Sequence, residues 1–377
     1  MIGSLAAIAL LAVSPLAALA GAAFLLINLP TATSAPVRQV LGLTMVLSAA
    51  LLAGSRPLHA EDANDIEIYY ELYRDLAAGD YSALTVFADG LEVGLPTLLL
   101  LWSWVLPKLS PNGLMFCLAL TSAMIFLFWV EHGFYGRPPL PAPVLVGTCL
   151  LMLNLYYATQ LSRQFLSAVI LLYAFTAHRP LAKATFVALA SAFHLTAIPF
   201  YLLFLLVRRG RVGWFAMIAL ALILRVFFFD LLVSLDLVPA AIGEKLSYYA
   251  QDANMFDAES LVSLRTMLLL ALASAVALLA CRGRPGPALR PWIAAPWYTM
   301  IIQVLLLPIP LASLRGTLLI HSVLPGLLIY RMFASRSRTL LLLVLNLLLC
   351  YKVLAYATSE NGEMLLPTAL MLGKLFS

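Results

Sequence analysis

The sequence predicts an all-α polytopic membrane protein with about eleven to thirteen membrane segments, some of them short or re-entrant. Three observations carry this expectation. Of 377 residues, 63% are hydrophobic and 11% charged, against roughly 25% charged in an average soluble domain. Apolar runs near the ~20 residues needed to cross a bilayer recur along the whole chain. Charges are expelled from those runs and sorted by sign among the loops. With a mean hydropathy of +0.97, the chain has too little polar surface to cover a water-soluble particle. Soluble enzymes, nucleic-acid binders and disordered chains are excluded. The net charge of +5 fits the basic cytoplasmic loops of a membrane protein and calls for no nucleic acid.

The candidate spans cover roughly 3–28, 37–55, 92–107, 113–131, 141–158, 162–178, 181–207, 213–236, 261–281, 292–312, 315–334 and 339–357. Residues 1–377 read as one integral membrane domain. In the first run Ala18-Leu19-Ala20 imitates a signal-peptide cleavage site. No basic stretch precedes it and the run continues through Ile27, so it reads as an uncleaved first helix. The tail from 363 is amphipathic and suits a surface or re-entrant segment.

Two loops hold most of the acid. Between Arg56 and Glu92 there are nine acidic residues and two basic ones; the segment 237–261 has four and one. Basic clusters sit elsewhere, at Arg208, Arg209 and Arg211, at Arg282, Arg284 and Arg290, and at Arg331, Arg336 and Arg338. The positive-inside rule places those clusters in the cytoplasm and the acidic loops, 56–91 and 237–261, outside. The stretch 92–208 breaks this alternation. Arg179 and Lys183 look like a cytoplasmic turn. If so, Arg163 faces out, 183–208 is a broken hairpin with His194 near its apex, and either 92–107 or 141–158 is re-entrant. Broken helices at membrane depth are tolerated only against protein or a wet cavity, so a cavity is expected there.

The first loop has its own structure. Ile66, Tyr69, Tyr70, Tyr73, Leu76 and Ala77 recur at helical spacing, with acids on the other faces. The pattern is that of an amphipathic helix over 64–78 with its aromatics in the membrane interface. The second loop repeats this more weakly around Tyr248 and Tyr249.

Polar residues inside apolar helices are costly and usually face the bundle interior. Arg163-Gln164 opens one such helix, with Asn154 and Gln160 just before it. A planar, permanently charged guanidinium suits phosphate, although a helix-end Arg snorkelling to headgroups gives the same pattern. His194, in Ser191-Ala-Phe-His194-Leu-Thr196, has the bland alternative of a satisfied structural histidine. Arg315 is a second candidate anion ligand, while Arg225 and Asp230 read as structural. Lys352 either snorkels or faces a cavity. Cys117, Cys149, Cys281 and Cys350 lie in or beside apolar runs, without metal or redox spacing. There is no P-loop, dinucleotide-binding glycine motif, nucleophile elbow or zinc-protease motif. No metal or cofactor is expected.

In order, these residues resemble the EpsG/Wzy-type polysaccharide polymerases of bacterial envelopes. The matching pieces are Arg56, Asp65-x3-Tyr69-x3-Tyr73, Glu92-Val-Gly94, Arg163-Gln164, Phe193-His194-Leu-Thr196 and Arg315, spread over roughly 56–330. The chain departs from the pattern in lacking an Asn close before Arg163. The resemblance implies a GT-C-like glycosyltransferase bundle that polymerises undecaprenyl-diphosphate-linked repeat units on the outer face of the bacterial inner membrane, building O-antigen or exopolysaccharide. It implies those lipid-linked glycans and membrane lipids as partners, with a chain-length regulator as a further one.

Under that reading Arg163, then Arg315, would meet the charge of the diphosphate leaving group. His194 and Asp65, ahead of Glu92, are the candidates for the base on the acceptor hydroxyl. Arg56, Tyr69, Tyr73, Gln164 and Tyr249 would contact substrate. Alternatives stay open: a GT-C transferase using an undecaprenyl-phosphate sugar, an O-antigen ligase, or a flippase for lipid-linked oligosaccharides. Transporters usually show inverted repeats, and none is visible.

Overall fold

The computed structural model describes residues 2–30, 33–57, 65–106, 108–132, 143–207, 317–333, 338–357 and 367–376, together with 265–275 and parts of 213–222 and 296–304. All regular structure among the described residues is helical, with no sheet. Ala35–Gly54 (α3), Pro111–Glu131 (α6) and Arg338–Ala357 (α14) are each long and apolar enough to cross a membrane. Of the two acidic loops, 237–261 lies outside the described residues, as do Arg225, Asp230, Arg315 and Cys281.

The first hydrophobic run is not one helix. Ile2–Val13 (α1) stops at Ser14, and Pro15–Asn28 (α2) starts anew. Pro15 has no N–H to donate and pushes its predecessor out of the helical region. Ser14 is accordingly extended, and its hydroxyl caps the backbone N–H of Ala17 at 3.3 Å. The two helices fold against each other, so that a Cβ on Gly21 would lie 3.2 Å from the Leu10 side chain.

The orientation of the bundle follows from a few cross-links. Arg38 on α3 pairs with Glu131 on α6, and Asn112 on α6 donates to the carbonyl of Gly54 at 2.7 Å, so α3 and α6 are antiparallel. Ser162–Thr176 (α9) runs parallel to α6: Tyr173 donates to the Ile125 carbonyl at 2.7 Å, and Trp129 donates to the Thr176 hydroxyl at 3.2 Å. Pro180–Phe193 (α10) returns antiparallel after a tight turn. The C-terminus of α3 and the N-termini of α6 and α9 therefore share one end of the bundle with the C-terminus of α10.

That end carries Asp65–Ala77 (α4). Ile66, Tyr69, Leu72, Tyr73 and Leu76 are buried, while Tyr70 is half-buried and Ala77 exposed. The apolar face does not lie in a membrane interface as its periodicity implied. It packs on Gly94–Val105 (α5) and the first half of α6 in a second hydrophobic core that also takes in Phe87, Leu166, Ile170 and Phe193. The amphipathic pattern is the same for either neighbour, because protein and acyl chains both accept apolar side chains.

The two segments expected to include a re-entrant one, 92–107 and 141–158, differ in how α5 and its counterpart are placed. α5 starts beside the end of α10 and finishes beside α4, both at the same end of the bundle. Its 12 residues span about 18 Å, short of the ~30 Å hydrocarbon core. The 141–158 segment forms two pieces, Pro143–Met152 (α7) and Leu155–Gln160 (α8). The break falls at Leu153-Asn154, where the Asn154 side chain accepts from Tyr156 N–H at 3.2 Å and its own N–H donates to the Ser322 carbonyl at 3.0 Å. The 181–207 run is also broken: α10 ends at Phe193, His194 is extended, and Ala197–Val207 (α11) follows. Later come Arg265–Ala275 (α12), a π-helical turn at Leu319–Val323, Pro325–Phe333 (α13), α14 and Thr368–Phe376 (α15).

Candidate active site

The site is built where two interruptions meet. The first is the turn before α5, where Ala88, Asp89 and Gly90 all take positive φ (48°, 53° and 83°). This left-handed path suits Gly90 and is strained for Ala88. It places the Phe87 ring and the Glu92 carboxylate on one guanidinium. The second is the gap between α10 and α11, which leaves backbone donors without helical partners. Glu92 Oε1 accepts one of them, the Leu195 N–H, at 2.9 Å.

Glu92 ties the site together. Its Oε2 accepts from Arg163 Nη1 at 2.6 Å, and its Oε1 lies 3.3 Å from His194 Nδ1. Only 4% of its side chain is exposed. A carboxylate so buried is tolerated because an arginine, a histidine and a backbone N–H all address it. The Glu-x-Gly spacing has a mechanical reason. A Cβ on Gly94 would sit 2.7 Å from the Phe193 ring and 2.9 Å from the Ala192 carbonyl carbon. Only glycine lets the start of α5 come close enough for Glu92 to reach Leu195.

Arg163, in the first turn of α9, is stacked on Phe87 with Cζ 3.8 Å from the ring centroid, a cation–π geometry. Its neighbours also include Tyr69 and Asp65. Its Nε is buried with no hydrogen-bond partner. Tyr69 donates to Asp65 Oδ2 at 3.0 Å. Burial, and then the Asp65 carboxylate, hold the Tyr69 phenol well above its usual pKa, so it remains a neutral donor. His194 Nδ1 lies 3.3 Å from the Thr196 N–H nitrogen and 3.2 Å from its hydroxyl. The His194 carbonyl accepts from Ser167 on α9 at 3.4 Å.

Asp65, Tyr69, Arg163, Gln164 and His194, with Leu161, line a single small cavity. Glu92 sits directly behind it. Six of the ten residues singled out from the sequence are thus brought together. Tyr73 is not among them. Its hydroxyl donates to the Leu106 carbonyl and accepts the Leu109 N–H at 3.3 Å, so it braces the α5–α6 turn. Burial raises its pKa. Arg56 lines a different cavity with Tyr156 and Lys352. Arg315 and Tyr249 lie outside the described residues. Among the described residues no three His, Cys, Asp or Glu side chains are grouped to hold a metal ion.

Sequence reasoning missed Phe87, whose role depends on the left-handed turn after it. It also missed the Arg38–Glu131 pair. A signal for that pair exists, since each is a lone charge at the edge of an apolar run.

The arrangement offers a buried cation with unused hydrogen-bonding capacity, a carboxylate at the cavity wall and a histidine oriented by a second carboxylate. It suits an anionic group next to a hydroxyl that loses a proton. No curated protein and no solved structure matches the chain. The family model for EpsG matches residues 39–368, most of the chain and every described residue of this site, and the protein belongs to the EpsG family, which is associated with exopolysaccharide synthesis.

Proposed function

We propose that the protein is a polysaccharide polymerase of the bacterial inner membrane, with a GT-C-like bundle whose α4 end faces the periplasm. It transfers a growing glycan from one undecaprenyl diphosphate to the sugar hydroxyl of the next lipid-linked repeat unit. The observation that carries this reading is the convergence of Arg163, Asp65 and His194 on one cavity, with Glu92 holding two of them from behind.

In the proposed reaction the bond between the anomeric carbon and the diphosphate oxygen breaks. A bond from that carbon to the acceptor oxygen forms. Charge accumulates on the departing diphosphate, and the Arg163 guanidinium meets it. A preorganised cation in a site poor in water is worth far more there than in bulk solvent. The acceptor proton goes to His194 or Asp65, both at the cavity wall. Glu92 is a positioning residue: both its oxygens are engaged, and it holds Arg163 and His194 in register. Tyr69 holds Asp65.

The test is a glycan gel from the native host lacking the gene, complemented with wild type, Arg163→Ala or His194→Ala. Deletion is expected to collapse the ladder to a single repeat, with Arg163→Ala inserting normally and failing to restore it. An intact ladder after deletion, or loss of the single-repeat band as well, would show that polymerisation is the wrong step.

A further inference from the structure

A second cavity opens at the same end of the bundle. Arg56, Tyr156, Lys352 and Tyr356 line it, and the rest of its wall is Leu and Ala side chains from α2, α3 and α7–α8. It is partly open to the surroundings. Its chemistry is divided. The apolar wall suits a hydrocarbon chain, and the two cations suit an anion.

The cations are built in. The Arg56 guanidinium lies over the Tyr156 ring, 4.2 Å from its centroid, and the Arg56 carbonyl is held by Asn112 at 2.9 Å. Lys352 stands within the apolar helix α14 and donates to the Leu151 carbonyl. No carboxylate pairs with Lys352 among the described residues. An ammonium in such a helix is costly and usually marks a path or site for a charged ligand. Leu151 takes one of its three donors.

The two cavities are joined by α8. Leu155 and Tyr156 at its start line this one; Leu161 and Arg163, just past its end, line the first.

We propose that this cleft is a second binding site, for a lipid with a phosphate or diphosphate head and a long apolar tail. Arg56 and Lys352 meet the phosphate oxygens, Tyr156 and Tyr356 flank the head, and the Leu/Ala wall takes the tail. The inference rests on the polymerase reading. That reaction consumes two lipid-linked glycans, so the Arg163 cavity holds the donor diphosphate and this cleft holds the lipid of the acceptor.

The test is equilibrium binding of a radiolabelled polyprenyl diphosphate to the purified full-length protein in phosphatidylcholine nanodiscs. Wild type is expected to bind two equivalents. Lys352→Met and Arg56→Gln should each weaken one of them about tenfold or more, as loss of a charged hydrogen bond does. Lys352→Arg should keep it, and Arg163→Ala should remove the other. Where Lys352→Met melts below wild type, Leu155→Trp, which fills the cleft from its apolar side, is read instead. Two full-affinity equivalents in Lys352→Met and Leu155→Trp would overturn the proposal. Equal competition by phosphatidylglycerol would reassign the cleft to bilayer phospholipid and overturn the acceptor role. Equal affinity for inorganic pyrophosphate would overturn the part played by the tail. Failure of the polymerase reading shows separately, as a glycan ladder unchanged by Arg163→Ala.

Discussion

Among the described residues, two buried arginine–glutamate pairs sit at opposite ends of the bundle, and they are built differently. Arg38 and Glu131 form a closed pair. Arg38 donates three hydrogen bonds to the Glu131 carboxylate at 2.7–3.0 Å, and the side chains are 3% and 6% exposed. Arg163 and Glu92 form an open one. A single bond of 2.6 Å links them, the arginine is 14% exposed, its Nε is unbonded, and a cavity adjoins it. The closed pair consumes its own charge and joins α3 to α6. The open pair keeps part of its charge available for a ligand. The same two residue types give a structural clamp or a reactive site according to whether geometry saturates the guanidinium.

The sharpest test of this contrast is on the closed pair. Arg38→Ala leaves an uncompensated carboxylate and should destabilise the protein by about 3–5 kcal/mol, whereas Arg38→Met with Glu131→Leu should recover most of that loss. Thermal melts in detergent read both. A double variant as unstable as the single one would break the contrast. Next comes the open pair. Arg163→Ala should cut polymerisation at least about 10²-fold and lower the melt as well, since it leaves Glu92 to His194 and the Leu195 N–H alone; here Arg163→Met with Glu92→Leu should recover the melt and should not restore activity. Recovered activity in that double variant would make this pair structural as well.

Gly94→Ala probes the approach that makes the open pair possible. The added methyl must displace Phe193 or α5 by about 1 Å, a misplacement that costs about 10²-fold in rate. The loss should fall on turnover rather than on protein level in the membrane, as an immunoblot beside the glycan gel will show. Tyr73→Phe should have the smallest effect, about 1 kcal/mol from the lost bonds to Leu106 and Leu109, and an intact ladder. A lost ladder with normal melting would return Tyr73 to the site.

Much of the candidate site was legible in the sequence because its members are chemically out of place. An arginine at the start of an apolar helix and a histidine within another draw notice wherever they end up. The re-entrant choice stayed open between 92–107 and 141–158, because both are short and apolar. What separates them is packing: α5 has both ends at the α4 end of the bundle, while 141–158 breaks at Leu153-Asn154. The α1–α2 hairpin was readable in retrospect from Ser14-Pro15, although the continuous apolar run masked it. Phe87 could not be found, as an aromatic in a loop is ordinary until a left-handed turn aims it at a cation.

Composition and hydropathy determined by themselves that this is a helical chain with membrane-length segments. They also located most of the helices and marked the ionisable residues worth watching. These properties are local: they follow from the solvent each segment prefers. Only the tertiary structure decided which of those residues meet. Glu92 and Arg163 are 71 positions apart, and Arg56, close to Asp65 in the chain, went to another cavity. In an apolar bundle nearly every face of a helix is hydrophobic, so pattern alone does not fix rotation or neighbour. Close packing at small residues such as Gly94 and Gly54, and the need to pair every buried charge, make that choice.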